Sequence, residues 1–290
     1  MIPAGGTPRR PRMNQTTAAH RRRPALARAT CSALAALALG GCATTRDAHW
    51  GADSTPSPGW NRLRNAAVDA ATSPRVWIPL AGAAALQIGH ADRHISNWAQ
   101  DHHPIFGSAK HAADWSDNLR IASAVAYAGT VLATPGSDDA GEWIADKSRG
   151  VLGGIGAVAL TSGTVFGLKK TTGRERPNGA DDESLPSGHT ATTAVLNQLS
   201  ERNLQSVRMD DGARLAMDIG LDGLTLATSW ARVEAGAHYP SDTLLGMAIG
   251  HFFGMTINDA FVAPRFGERL GLSVAPMHGQ GALVSWNYAF

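Results

Sequence analysis

A chain of 290 residues, 43% hydrophobic and 17% charged with a net charge of +2, is long enough to bury a sizeable core. Its hydrophobic share excludes a disordered chain, and its balanced charge excludes a nucleic-acid binder driven by phosphate neutralisation. The two cysteines, Cys31 and Cys42, both lie near the start, which excludes a disulfide framework or a cysteine zinc site in the body of the protein.

The first thirty positions carry Arg9, Arg10, Arg12, Arg21, Arg22, Arg23 and Arg28 and no acid. A short apolar run from Ser32 to Leu39 follows and ends in small residues. A basic region, an apolar stretch and small residues make a secretory signal, and the apolar stretch is shorter than the roughly 20 residues of a spanning helix. The end of the leader, Leu39-Gly40-Gly41-Cys42, resembles the lipobox of bacterial lipoproteins. That resemblance implies cleavage after residue 41 and a lipid on Cys42. Met13 is an alternative start that would shorten the leader. Ala43 is not the Asp associated with inner-membrane retention, so the expected address is the cell envelope, facing the periplasm, with the outer membrane favoured. Residues 42–60 are rich in Ser, Thr, Pro, Gly and Asp and read as a flexible tether.

From residue 61 to 264 the chain reads as one all-α domain. Low-charge segments recur at Val76–Ala91, Ile121–Thr134, Gly150–Leu168, Thr190–Leu204, Arg214–Trp230 and Thr243–Ile257, each too long for a typical strand. Pro and Gly clusters separate them. Gly150–Leu168 carries no charge and is long enough to cross a bilayer, but it is glycine-rich. The expectation is a globular helical bundle held at the membrane by its lipid. In residues 265–290, two alternating runs flank His278-Gly279-Gln280-Gly281, which suggests a β-hairpin on the helical domain.

Three motifs carry the chemistry. Lys169-x6-Arg176-Pro177 places two cations at a helix end and in the loop after it, where they can converge on an anion. Pro186-Ser187-Gly188-His189 opens a helix, with Ser187 as cap, Gly188 allowing close backbone approach and His189 beside the free N–H groups that bind phosphate. Arg232-x5-His238-x3-Asp242 sets a carboxylate near an imidazole, where it can fix the ring and stabilise its cation.

Together the three spacings resemble the type 2 phosphatidic acid phosphatase superfamily, which includes lipid phosphatases, class A acid phosphatases and vanadium haloperoxidases. The likeness covers about residues 150–254 and implies the family's helical bundle. It implies that His238 is the nucleophile forming a phosphohistidine, that Asp242 holds His238, and that His189 protonates the leaving alcohol and then activates water. Lys169, Arg176, Ser187, Gly188 and Arg232 are implied to bind phosphate, with no metal or other cofactor. The family's Ser before the third-motif Arg is Ala231 here. The implied function is a metal-independent phosphatase acting on phosphate monoesters or on lipid phosphates or diphosphates. Its partners are the phosphorylated substrate and a membrane reached through the lipid anchor, with no nucleic acid and the oligomeric state open. A vanadium-dependent haloperoxidase-like enzyme and a non-catalytic envelope lipoprotein are the alternatives.

Other polar residues are less informative. His90 and His94 share a helix face near His102 and His103, a weak metal-site pattern. Asp92, Asn97, Asp114, Trp115, Asp117 and Asn118 read equally well as helix caps or as the mouth of a site.

Overall fold

The computed structural model describes residues 50–88, 91–262, 271–276 and 282–287. The leader, Cys31, Cys42 and His90 lie outside the described residues.

The helix at the centre is Pro240–Ile257, a segment apolar on nearly every side and therefore suited to burial all round. Seven other helices precede it among the described residues: α1 (Gly59–Thr72), α2 (Pro74–Ile88), α3 (Ala91–His102), α4 (Ala109–Ala133), α5 (Ala140–Thr172), α6 (Gly188–Leu204) and α7 (Asp211–Glu234). The central helix, α8, begins with Pro240 in its first turn, where a missing N–H costs nothing. It runs on into a π-helical turn, Asn258–Val262. Strands β1 (Gly271–Pro276) and β2 (Ala282–Asn287) pair antiparallel, from Gly271 opposite Asn287 to Pro276 opposite Ala282, as the expected hairpin.

Polar caps set the helix ends. Ser108, Asp139 and Asp210 accept from His111, Glu142 and Ala213 backbone N–H groups and start α4, α5 and α7. Gly173, at φ +53°, ends α5 in the left-handed conformation. Two helices, α1 and α3, lie where no low-charge segment was expected, because both carry charge on their outer faces. The expected Val76–Ala91 segment is α2 followed by the start of α3, with α2 ending at Ile88.

The closest helix contact joins α6 to α8. Gly246, Gly250 and Gly254 lie four residues apart and so line one face of α8. A Cβ on Gly246 would fall 2.5 Å from the Ser187 carbonyl oxygen, and one on Gly250 would collide with the Ala191 carbonyl and the Ala194 methyl. A Cβ on Gly254 would press on Gln198. The two backbones therefore touch, and the first turns of α6 and α8 meet at one end of the bundle.

The flexible tether expected over residues 42–60 needs correction from Trp50 onward. Trp50 is buried against Val131 and Val262, its N–H donates to the Pro135 carbonyl, and Thr55 N–H donates to the Phe261 carbonyl. Lys147 lies over the Trp50 ring and donates to the Val131 and Thr134 carbonyls at the C-terminus of α4. A cation at that helix end is favoured by the dipole. An aromatic side chain that can bury its face there outweighs the loop-like composition around it.

The outer surface also departs from that of a globular bundle. Helix α5 is long and apolar enough to cross a membrane, yet only 22% of its most apolar stretch is buried. Its small residues turn inward, with Gly150 under Trp50, Gly153 under Val262 and Gly154 under Tyr127. Leu152, Ile155, Leu160 and Phe166 face out, as do Trp77, Ile78 and Leu80 on α2 and Ile121, Val125 and Leu132 on α4. Charges gather at the two ends instead. At the end remote from His238, Arg75 bridges Glu201 and Asp222, each at 2.7 Å.

Gly250→Leu is expected to destabilise the fold by at least about 1–3 kcal/mol through overpacking. Gly223→Ala, where the added methyl meets nothing within 4 Å, should be neutral or slightly stabilising. Thermal unfolding of both variants checks this, and equal midpoints would contradict the backbone contact.

Candidate active site

His238 sits between α7 and α8, 1% exposed. Its Nδ1 lies 2.6 Å from the Ser184 carbonyl oxygen, which can only accept, so Nδ1 carries the proton and Nε2 carries the lone pair. Burial is the largest cause that lowers the His238 pKa well below the ordinary imidazole value; Arg232, Lys169 and Arg176 add to it. The ring is therefore neutral and nucleophilic over a wide pH range.

Two of these cations are themselves depressed. Lys169, in the last turn of α5, donates to the Glu183 carbonyl at 2.6 Å, and burial followed by Arg176 lowers its pKa. Arg232, in the last turn of α7, is brought to about 10 by burial and then by Arg176. Arg232 donates to the Ser116 hydroxyl at 3.3 Å, while its buried Nε has no partner among the described residues. Arg176 is held by Asp181, through Nε at 2.6 Å and its backbone N–H to the Asp181 carbonyl. Three mutually repelling cations around a neutral imidazole form a site that an anion would stabilise.

The loop before α6 completes this side. Ser187 is the N-cap of α6, as expected, accepting from the Thr190 hydroxyl at 3.2 Å and more weakly from the Thr190 N–H. Gly188 begins the helix, and its side-chain position is uncrowded. The Ser187 N–H donates to the Asp242 carbonyl at 2.9 Å, tying the start of α6 to α8.

His189 points from the first turn of α6 towards α4. Its Nε2 lies 2.9 Å from an Asp117 oxygen. Burial and then Arg232 lower the His189 pKa, and the bond to Asp117 works against them. Asp117 is held below the usual carboxylate value, chiefly by that same bond. Ser116 reaches Arg232 and Asp117 reaches His189, so neighbouring residues of one turn of α4 set two site groups. Both partners are far from their targets in sequence, and no local spacing points to them.

Asp242 does not hold His238 in the way its spacing implied. The two residues do not share a helix: His238 precedes α8 and Asp242 lies in its first turn. The nearest carboxylate oxygen is 4.0 Å from His238 Nδ1, and the Ser184 carbonyl takes the hydrogen bond. Asp242 instead accepts from the Ser184 hydroxyl at 2.5 Å, the Tyr239 N–H at 2.8 Å and Arg174 at 2.5 Å. Burial pushes its carboxyl pKa up, and those three donors oppose the shift. Arg174 also binds Asp92 at 2.8 Å and lies over the Tyr239 ring at 4.2 Å. Asp92 in turn accepts from the Ser241 N–H at 2.8 Å and from its hydroxyl. Asp92 is thus a support of the site, and so is Arg174, which lies between Lys169 and Arg176 but outside the spacing that marks the first motif.

Of the weak metal pattern, His102 is committed to the Trp98 carbonyl and stacks on the Trp98 ring. Ala231, the departure from the family pattern, is fully buried.

Residues 150–263 match the family model described as the PAP2 superfamily. Over 99 residues the chain is 34% identical to a lipid A 1-phosphatase of Porphyromonas gingivalis, a match covering 33% of this chain and 20% of that relative. The chain thus spans about a fifth of the length of the curated relative it matches. A crystal structure of a transmembrane PAP2-type phosphatidylglycerolphosphate phosphatase from Bacillus subtilis aligns at 19% identity and a TM-score of 0.47, covering 66% of this chain and 94% of that one.

Arg232→Gln should raise the titration midpoint of His238, because one of the charges that lowers it is removed. Nitrogen-15 NMR of labelled histidine in the whole protein reads the midpoint. An unchanged or lower value would contradict the electrostatic arrangement.

Proposed function

We propose that the protein is a metal-independent phosphatase acting on a phosphorylated lipid through a phosphohistidine on His238, a reading supported by the match of residues 150–263 to the PAP2 superfamily model. The observation that carries this reading is the buried neutral imidazole, with Nδ1 fixed on the Ser184 carbonyl and Nε2 left for phosphorus among Lys169, Arg176 and Arg232. The lipid A 1-phosphatase similarity supports the same substrate chemistry.

The reaction runs in two displacements. The Nε2 lone pair attacks phosphorus, the bond to the ester oxygen breaks, and that oxygen leaves with the electron pair and a proton from His189. Lys169, Arg176, Arg232 and the N–H groups at Gly188 and His189 face the equatorial oxygens, where charge accumulates. The phosphohistidine keeps its Nδ1 proton on the Ser184 carbonyl, so the ring becomes cationic and a good leaving group. His189 then takes a proton from water, the water oxygen attacks phosphorus, and the P–N bond breaks. Asp117 orients His189 and supports its protonated form. Three fixed cations supply the charge that a metal would otherwise provide.

The lipid anchor at Cys42 fits this reading. Residues 43–49 reach at most roughly 25 Å before the docked Trp50. An anchor that short holds the bundle against the bilayer, where the charge-free segments 76–88, 121–133 and 151–168 present their apolar outer faces to hydrocarbon. The reading therefore places the protein in the bacterial cell envelope.

His238→Ala should abolish turnover of every phosphate ester. His189→Ala should lose roughly 10²–10⁴-fold on an alkyl or lipid phosphate and much less on p-nitrophenyl phosphate, whose leaving group departs without a proton. Single-turnover phosphoenzyme formation on both substrates tests the division, and equal losses would refute it. Activity that disappears in EDTA and returns with a divalent metal would reject the metal-independent mechanism. Cys42→Ala should release the protein from membranes or leave it unprocessed, and normal fractionation and processing would reject the anchor.

A further inference from the structure

The three cations of the site differ in how they are mounted. Lys169 and Arg232 stand on the last turns of α5 and α7, where the helix backbone fixes the directions in which their side chains leave. Arg176 stands in the loop after α5, so its direction must come from elsewhere. An untethered arginine samples many rotamers, and ordering it on an anion costs conformational entropy at the moment of binding. The chain removes that freedom by turning back on itself. Gly179, at φ +69°, donates its N–H to the Arg176 carbonyl, and the Asn178 side chain accepts from the Ala180 N–H. Asp181 is thereby brought against Arg176 and meets it twice, carbonyl to backbone N–H at 2.9 Å and Oδ1 to Nε at 2.6 Å. The same Oδ1 accepts the Glu183 N–H at 2.8 Å, so the carboxylate is itself held. Among the described residues nothing bonds the two terminal nitrogens of Arg176, which leaves their donors for an anion.

Asp181 opens a strap, residues 181–184, that touches Lys169, Arg176, His238 and Asp242 together. The Glu183 carbonyl accepts from Lys169, the Ser184 carbonyl accepts from His238, and the Ser184 hydroxyl donates to Asp242. The Glu183 carboxylate pins the strap to α5 through Lys170 at 2.6 Å. The Asp181 side chain is 45% exposed, and an ion pair so open to water contributes little to stability. Its negative charge also opposes the attraction of an anion to Arg176. What the pair contributes is therefore direction, since it adds little stability and works against the charge of the site.

We propose that Asp181 is a positioning residue for phosphoryl transfer, fixing Arg176 by its Nε edge so that the two terminal nitrogens meet the phosphoryl oxygens already aligned. The inference rests on the phosphatase reading and deepens it by naming a residue outside the three motifs on which turnover depends. Asp181 touches no reacting atom and acts only through Arg176.

The test measures phosphate release from p-nitrophenyl phosphate and from phosphatidic acid in mixed micelles by the full-length protein and its variants. Asp181→Ala should lower kcat/KM roughly three- to tenfold, the range for one long side chain left to be ordered on binding. Asp181→Asn should recover most of that loss, because the amide oxygen accepts the same two hydrogen bonds without the charge. Asp182→Ala removes an equal charge one residue away and should keep the wild-type rate. In an Arg176→Gln background, Asp181→Ala should cost nothing further, because the residue it acts through is gone. A wild-type rate in Asp181→Ala, an equal loss in Asp182→Ala, no recovery in Asp181→Asn, or a further loss on top of Arg176→Gln would overturn the positioning role and leave the phosphatase reading standing. A clearly lowered thermal midpoint in Asp181→Ala would show a structural role and overturn it as well. A wild type inactive on both substrates would overturn both.

Discussion

The carboxylate of Asp242 is the junction on which the site depends. One side chain closes the first turn of α8 through the Tyr239 N–H, fixes the loop before α6 through the Ser184 hydroxyl, and pairs with Arg174 from the loop after α5. Its own backbone carbonyl takes the Ser187 N–H. Three pieces of chain meet at one buried residue. The Ser184 carbonyl can present itself to His238 only while the Ser184 hydroxyl stays where Asp242 holds it. The acid therefore acts on the imidazole at one remove, by placing the peptide group that selects its tautomer. Breaking a buried, multiply bonded charge of this kind by removing one partner costs several kcal/mol, about 3–5 as a central value. Loss of Asp242 would thus be felt as disorder in three segments before it was felt as a missing catalytic group.

The site separates its positive and apolar elements cleanly. The site's cations come from the last turns of α5 and α7 and from the loop after α5. The first turns of α6 and α8 contribute backbone and imidazole. The two kinds of helix end alternate around the cleft, so N-terminal dipoles and fixed cations point at the same place. The outer faces of α2, α4 and α5 begin where those charges stop. A phosphorylated lipid has the same two-part character, a charged head on a hydrocarbon tail, and the protein surface mirrors it along one axis.

Much of this was legible in the sequence because it is local. Lys169, Arg176, Ser187, His189, Arg232 and His238 lie in three short motifs, each at a helix end that breakers and caps announce. The helical architecture was legible for the same reason, since six low-charge segments have lengths only helices use. What remained hidden depends on contacts distant in sequence. Asp117 meets His189 across 72 positions, and Asp92 meets Ser241 across 149. Their sequence surroundings resemble any charged helix end. Helices α1 and α3 were missed because they bury few apolar side chains; α3 buries only Asp92, Ser96 and Ala99. Trp50 was hidden by its neighbours, whose composition is that of a linker. The four-residue spacing of His238 and Asp242 was misleading because a helix begins between them.

The glycine-lined contact between α6 and α8 has a dynamic consequence. Backbones that touch without intervening side chains leave little room for one helix to shift against the other, and neither can fray without exposing the whole seam. Amide protons along the inner faces of these two helices should exchange with solvent only through global opening, at the slow end of the protein's range. His189 is mounted on the first turn of α6 and Asp242, which holds the Ser184 loop, on the first turn of α8. The histidines of the site are therefore held still by the glycine-lined seam, and any breathing of the fold falls to the elements around them.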